Sequence, residues 1–405
     1  MEHIKSTAII LGVIALLSNC RGSVRTGLDR VGAHKELFRG KRLGIITNHT
    51  AYDSDGKYIV DVFRATPGAT VAALFSPEHG LWGTEQAGIK TDGQVHPVYK
   101  LPVHSLYGKT RKPTPEMLRD IDVLVFDIQD IGARFYTYVY TMSLAMETAA
   151  ENGKRFVVLD RPNPITGRHV CGTILDPELA SFVGLFPIPV RHGMTAGELA
   201  KMFNEQGWLA NKVKADLAVV PMKGWRRRMW YDQTALRFIK PSPNMPDLET
   251  AMIYPGLCLL EGTNISEGRG TSKPFRQFGA PWIDSKRLAD RLNELNLPAM
   301  HFEPAQFTPT SSKYKGQTCN GVRIITTDRD RLEPYYSGIL IVNEIYRMYP
   351  DKFQWKIGHF DRLCGTPKVR QAISSGASLK KLHAKWQFEL EAFRKIRDKY
   401  LIYHD

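Results

Sequence analysis

Over residues 40–220 the chain alternates short apolar runs with amphipathic stretches and polar turns. RLGIIT (42–47), VAALF (71–75), IDVLVF (121–126), RFVVL (155–159) and DLAVVP (216–221) are apolar runs of strand length, as expected of strands covered on both faces. A basic stretch and a short helix ending at Gly40 precede the first run. Helical spacing follows at 57–64, with Ile59, Val60 and Phe63 apolar, and again in a long segment reaching Glu151, closed by Asn152-Gly153. Thr114-Pro115 reads as a helix start, and Thr195 with Glu198 as a capping box ahead of Leu199, Met202 and Phe203. Tyr136, Tyr138 and Tyr140 alternate as in a strand extension, and a Gly- and Asp-rich surface loop covers 83–97. This alternation predicts an α/β fold with a Rossmann-like parallel sheet over residues 24–249. Beyond PSPNMP (241–246) the pattern is less regular, and a smaller α/β domain is expected over 250–405. It ends in an amphipathic helix with Leu379, Leu382, Trp386, Leu390, Phe393 and Tyr400 on one face.

Four of the expected strands deliver polar residues at the same end: Asn48 and His49, Glu78 and His79, Asp127, Gln129 and Asp130, and Asp160 and Arg161. In a parallel sheet these exits share one edge and one crevice. The sharpest is 70–80, TVAALFSPEHG, where Pro77 ends the pairing and Gly80 permits a turn, leaving Glu78 as an ionisable group on a rigid strand exit. No GxGxxG follows the first strand, which argues against a dinucleotide cofactor. A second candidate is LEGTNISEGRGT (260–271), where Glu261, Glu267 and Arg269 are interleaved with glycines, as suits close approach of backbone to a ligand. Each position also has a packing account. Glu78 is a possible helix cap, Asp160 and Arg161 a local ion pair, and Trp225, Trp230 and Tyr231 either a sugar platform or interface packing. His49, His79 and His192 lack close metal-ligand spacing and read as structural histidines before they read as ligands.

The net charge of +14 over 405 residues invites a polyanionic partner. Basic residues are scattered, with only short clusters such as Arg226-Arg227-Arg228, and no nucleic-acid motif is present, so nucleic acid is not expected. Residues 1–20 read as a targeting segment: Lys5, an apolar core over 7–17, then Leu17-Ser18-Asn19-Cys20. That ending resembles a lipoprotein processing site, with Cys20 as the acylated residue and the cell envelope as the address; a free periplasmic or secreted protein is the alternative. Cys171, Cys258, Cys319 and Cys364 are widely spaced and match neither a zinc site nor a disulfide framework.

Taken together, NHT (48–50), SPEHG (76–80), DIQDIGARFYTY (127–138), LDRPNP (159–164), RHGMT (191–195), PSPNMP (241–246) and EGTNISEGRGT (261–271) resemble the exo-β-N-acetylmuramidase family of bacterial glycoside hydrolases. The resemblance runs from about Gly27 to the C-terminus. It implies a cleft between the two domains and release of N-acetylmuramic acid from non-reducing ends of peptidoglycan fragments, with no cofactor or metal. It makes Glu78 the catalytic acid/base. Asp127, Glu267 or Glu261 supplies the second carboxylate, or the substrate's own N-acetyl group acts, oriented by Asp127 or Asp130. The lactyl carboxylate calls for a guanidinium: Arg269 first, then Arg191 and Arg134. The full binding set is Asn48, His49, His79, Gln129, Asp130, Arg134, Tyr136, Asp160, Arg161, Arg191, His192, Asn244, Glu261, Asn264 and Arg269. The competing classes are a non-catalytic muropeptide-binding lipoprotein and a metal-dependent amidase or esterase.

Overall fold

A computed structural model describes residues 23–84 and 94–405. The leader with Cys20 and most of the loop expected at 83–97 lie outside the described residues. The first half provides β1 (Lys41–Thr47), α1 (Ile59–Arg64), β2 (Ala69–Ser76), β3 (Gln94–Val95), β4 (Pro102–Ser105), β5 (Val123–Asp127) and α2 (Tyr138–Glu151). It continues with β6 (Arg155–Leu159), β7 (Cys171–Ile174), β8 (Pro189–Arg191), α3 (Ala196–Glu205) and β9 (Asp216–Val220). Seven strands form one sheet in the order β3-β4-β2-β1-β5-β6-β9. All neighbours pair in parallel except β3 with β4. From β1 the chain moves outward to β2 and β4, then returns to lay β5, β6 and β9 on the other side. Strand order therefore reverses between β1 and β5, the position where an open α/β sheet opens a crevice at its carboxyl edge.

Sequence accounts for most of these elements. All five residues of β5 are buried, as its unbroken apolar run requires. Thr195 accepts from the Glu198 amide while Glu198 accepts from the Thr195 amide, so α3 opens with the expected capping box and buries Leu199, Met202 and Phe203. Two expectations fail. Tyr138 and Tyr140 lie in the first turn of α2 rather than on a strand, because the Ala-, Met- and Glu-rich run that follows favours helix. The helix expected at Thr114 is a single 3-10 turn, Glu116–Leu118. The chain must extend again almost at once, since Asp122 accepts hydrogen bonds from the amide and guanidinium of Arg42 at the start of β1.

The second half adds α4 (Leu248–Leu257), β10 (Gln277–Ala280), α5 (Ser285–Glu294), β11 (Met300–Phe307), β12 (Cys319–Thr326), α6 (Pro334–Met348), α7 (Ile357–Cys364), α8 (Lys368–Ser375) and α9 (Leu379–Arg397). Its antiparallel sheet runs β10-β12-β11. Helices α4 and α6 cross backbone to backbone: a Cβ on Gly256 would lie 1.8 Å from the Pro334 carbonyl oxygen. Leu379, Trp386, Leu390 and Phe393 are the buried face of α9, and Tyr400 is buried in the turn beyond it. Among the described residues no helix is long and apolar enough to cross a membrane.

One apolar core runs through both halves, with Phe135 packed edge-on against Tyr254 at 5.2 Å. Two residues expected at the ligand are instead part of this framework. Arg134 has no exposed surface and donates to the carbonyls of Thr173 (2.6 Å), Ile188 (3.0 Å) and Leu363 (2.8 Å), joining the halves. Asp160 is equally buried and accepts from Thr195 Oγ1 (2.7 Å), the Gly197 amide (2.9 Å) and Tyr403 Oη (2.7 Å). Its strand-exit position serves the N-terminus of α3 and the C-terminal tail, and burial pushes its carboxyl up to about 6 against those donors. Replacing Arg134 by Met should lower unfolding free energy by at least ~2 kcal/mol, since each carbonyl left unpaired costs ~1–3 kcal/mol. A urea titration checks this, and an unchanged midpoint would contradict the assigned role.

Candidate active site

Side chains at the exits of β1, β5 and β6 hold one another. Asn48 Oδ1 accepts from the Thr50 amide (2.9 Å) and from Thr50 Oγ1 (2.6 Å), and Thr50 Oγ1 accepts from the Gln129 amide (3.0 Å). Gln129 Nε2 donates to the Asp130 and Pro162 carbonyls at 2.7 and 2.8 Å. Arg161 forms a two-pronged buried ion pair with Asp127 and also donates to the Tyr52 carbonyl at 3.0 Å. Asp127, expected near the chemistry, is thus fully occupied: a strand-exit carboxylate with no exposed surface, neutralised by its neighbour.

Several polar atoms on this edge have no protein partner. With His49 Nε2 donating to the Lys240 carbonyl at 2.8 Å, Nδ1 is a buried acceptor left without a donor. Burial holds this imidazole below its ordinary pKa, hence neutral. Gln129 Oε1 and Asp130 Oδ1 are likewise buried and unpaired. Asp130 Oδ2 accepts from the Gly132 amide at 2.7 Å, yet burial still pushes the carboxyl up to about 7. Gly132 is required here, with φ 83° and the Asn163 side chain 2.3 Å from where a Cβ would sit. Such unfilled buried groups gain from a ligand that supplies the missing hydrogen bonds.

Glu78 lies half-buried in the turn after β2, followed by His79 at φ 70° and Gly80 at φ 72°. Thr137 Oγ1 donates to its Oε2 at 2.8 Å. The Tyr107 hydroxyl is also in hydrogen-bonding reach, and burial together with the Glu78 charge pushes that phenol up to about 12. Tyr136 and Tyr138, edge-on at 4.9 Å, feel the charge of Glu78, and Tyr136 also that of Asp130. Tyr138 Oη donates to the Pro241 carbonyl at 2.6 Å, so the segment after Ile239 is tied to this edge at both His49 and Tyr138. A cavity of about 640 Å³ opens at the strand-order reversal, walled in part by His49, Tyr52, Gln129, Arg161 and Tyr231; Glu78 and Asp130 lie outside its wall.

The glycine-rich loop of the second half is a closed ion-pair cluster. Arg269 binds Glu261 through Nε (3.1 Å) and Nη2 (2.6 Å) and lies 3.4 Å from Glu267, which Lys313 meets at 2.9 Å. Glu267 is 2% exposed, and neither it nor Glu261 keeps an unpaired charge. Burial would raise the Glu261 carboxyl, but Arg269 and His359 outweigh it and hold it down at about 2. The loop stands next to the tyrosines: Tyr136 is 6.3 Å from Tyr254, Tyr254 4.7 Å from Phe275, and the Arg269 guanidinium 5.1 Å over Phe275.

Three other expected ligand residues are structural. Arg191 is buried, donates to the Ile165 carbonyl and lies 5.4 Å over Trp230. His192 accepts from the Met194 amide at 3.2 Å, and burial pushes it down to about 3. Asn264 exchanges hydrogen bonds with the Lys352 carbonyl and the Gln354 amide. Asn244 walls a second, more open groove described below. Among the described residues no group of three or more His, Cys, Asp or Glu is arranged to hold a metal ion.

Residues 43–249 match the family model described as "Exo-beta-N-acetylmuramidase NamZ, N-terminal", and residues 252–403 match its C-terminal counterpart. The chain belongs to the NamZ family. Peptidoglycan beta-N-acetylmuramidase NamZ of Bacillus subtilis (strain 168) is 49% identical over 382 residues, covering 94% of this chain and 91% of that protein. Two crystal structures of DUF1343 family proteins from Bacteroides fragilis NCTC 9343 share the fold. One superposes with TM-score 0.87 at 38% identity and the other with 0.77 at 32%; each match covers 94% of this chain and 99% of the other.

Within this NamZ family member, Tyr107 and Thr137 are the neighbours of Glu78 that strand-exit reasoning did not pick out. Thr137 lies inside the DIQDIGARFYTY string, and Tyr107 follows β4, whose four residues around Pro102 and His104 carry too little apolar pattern to announce a strand. Lys313, the third partner of the Arg269 cluster, is remote in sequence and carried no local signal. The cluster also sets an acid limit. The Glu261 carboxyl is depressed in the folded state, so its stabilisation is complete above the unfolded value near 4.5 and is lost as pH falls toward about 2. Thermal melts from pH 5 to 2 should show a steeper loss of Tm for the wild type than for Glu261→Gln; parallel curves would remove the cluster from acid stability.

Proposed function

We propose that this protein is an exo-β-N-acetylmuramidase that releases N-acetylmuramic acid from the non-reducing ends of peptidoglycan fragments. The observation that carries the reading is Glu78, held by Thr137 on the exit of β2 beside a set of unpaired buried polar atoms, in a chain of the NamZ family. Glu78 protonates the glycosidic oxygen as the bond to C1 breaks. Thr137 fixes its rotamer, and the half-buried setting limits competition from water. Asp127, Glu261 and Glu267, the candidates for a second carboxylate, are all in ion pairs, whereas Asp130, expected to orient the N-acetyl group, keeps an oxygen without a partner. Asp130 Oδ1 accepts the N–H of the substrate's acetamido group and turns its carbonyl oxygen toward C1. That oxygen stabilises the oxocarbenium-like centre from within the substrate, and water completes hydrolysis with Glu78 now acting as base. For the lactyl carboxylate Arg269 remains the best-placed guanidinium: it is partly exposed, and its ion pairs do not engage Nη1.

The basic surface suits work on an anionic wall polymer. The leader, with Lys5, the apolar core over 7–17 and Cys20, supports a lipid-anchored site of action in the cell envelope.

Glu78→Gln should reduce release of N-acetylmuramic acid from a chromogenic β-N-acetylmuramide by ~10²–10⁴-fold with Tm unchanged. Near-normal turnover would take Glu78 out of the mechanism. Activity that is lost on adding a chelator would instead favour a metal-dependent hydrolase, and tight muropeptide binding without release would favour a binding protein. Separately, Cys20→Ala should move the protein from the membrane fraction to the soluble envelope fraction; equal partitioning of both forms would dismiss the anchor.

A further inference from the structure

A groove of about 710 Å³ lies on the second domain between the loop 270–273 and the β10-β12-β11 sheet, with Pro243 and Asn244 at its other wall. Its chemistry is one-sided. Lys273, Gln277, Gln306, Thr308 and Arg323 line it, Phe307 gives an apolar wall, and no carboxylate does. Gln277 and Arg323 sit opposite each other in the β10–β12 pair, so they share one face of the sheet. Arg323 Nε is buried and has no hydrogen-bond partner, and the nearest carboxylate, Glu303 on β11, is 3.9 Å away, too far for a hydrogen bond. A partly exposed guanidinium with unfilled donors is matched by a carboxylate.

Two walls of the groove are sequence neighbours of residues at the candidate site. Pro243 and Asn244 follow Pro241, which takes the Tyr138 hydroxyl, and Gly270 and Thr271 follow Arg269, which lies over Phe275 in the row Tyr136, Tyr254, Phe275. Resting on the muramidase reading, we infer that this groove is a leaving-group subsite that binds the glycan beyond the scissile bond through a carboxylate held by Arg323 and Lys273. Amide and hydroxyl groups of Gln277, Gln306 and Thr308 meet the sugar hydroxyls. The carboxylate has two possible sources, the lactyl group of the next muramic residue or its stem peptide.

The test compares Arg323→Ala with the wild type on three substrates: a chromogenic β-N-acetylmuramide, a peptide-free tetrasaccharide ending in N-acetylmuramic acid, and the same glycan bearing a stem peptide on its internal muramic residue. The subsite predicts at least a ~tenfold fall in kcat/KM on one or both glycans, with the chromogenic rate within about twofold of wild type, as loss of a charge-assisted hydrogen bond implies. A fall on both glycans assigns the lactyl group, and a fall on the peptide-bearing glycan alone assigns the peptide. Arg323→Lys should restore part of the loss. Equal rates on all three substrates would overturn the subsite. If Arg323→Ala loses activity on all three, Lys273→Ala at its half-buried loop position decides by the same comparison. A wild type that releases no N-acetylmuramic acid from any of them would bring down the muramidase reading itself, and the subsite with it.

Discussion

A parallel sheet delivers every strand to one edge, where main-chain amides and carbonyls leave the ladder and must find other partners once they are buried. The whole carboxyl edge of this sheet is built around that requirement. Asn48, Thr50 and Gln129 link the exits of β1 and β5, and Gln129 reaches on to Pro162 beyond β6. Asp160 holds the first turn of α3, and Arg161 ties Asp127 to the Tyr52 carbonyl. Because these groups are engaged, the few that are not stand out. Asp130 Oδ1, Gln129 Oε1 and His49 Nδ1 are unpaired acceptors on the same edge, and Asn48 Nδ2 and the Tyr136 hydroxyl are unpaired as well, so the crevice lacks partners of both kinds. An acetamido N–H and sugar hydroxyls supply what it lacks.

Most of the sheet was legible because strands buried on both faces need unbroken apolar runs, and the five long runs correspond to β1, β2, β5, β6 and β9. The convergence of exits on one edge followed from parallel pairing alone. Which of those polar residues face a ligand was not legible, for an identifiable reason. Asp127 and Asp130 are both acids at the exit of the same strand; one meets a guanidinium from the neighbouring exit and the other only backbone amides. That difference is set by Arg161, and no local pattern encodes it. Arg134 and Arg191 misled for a related reason: an arginine held by carbonyl oxygens looks, in sequence, like one waiting for a substrate carboxylate.

The second half contributes rigidity together with the Arg269 guanidinium, whose Nη1 stays outside its ion pairs. Its glycine-rich loop has the composition of a ligand loop, but its charges are closed on one another through Glu261, Arg269, Glu267 and Lys313. Those pairs fix the loop where it meets the tyrosine row, and that fixes one wall of the groove beyond it. One apolar core is shared by both halves, and Arg134 is bonded across them. Selectivity then comes from fixed shape and fixed donors, as suits recognition of a single terminal sugar.

Asp160 accepts from a hydroxyl 243 residues further along the chain, and Tyr403 in turn accepts from the Met222 amide just past β9. The central sheet therefore takes support from a segment far along the chain. Contacts of such long range form slowly and late, so the N-terminal half reaches its final packing only when the whole polypeptide is present. A protein with this wiring consolidates its two ends together, because the hydroxyl that completes the Asp160 site also holds the chain leaving β9.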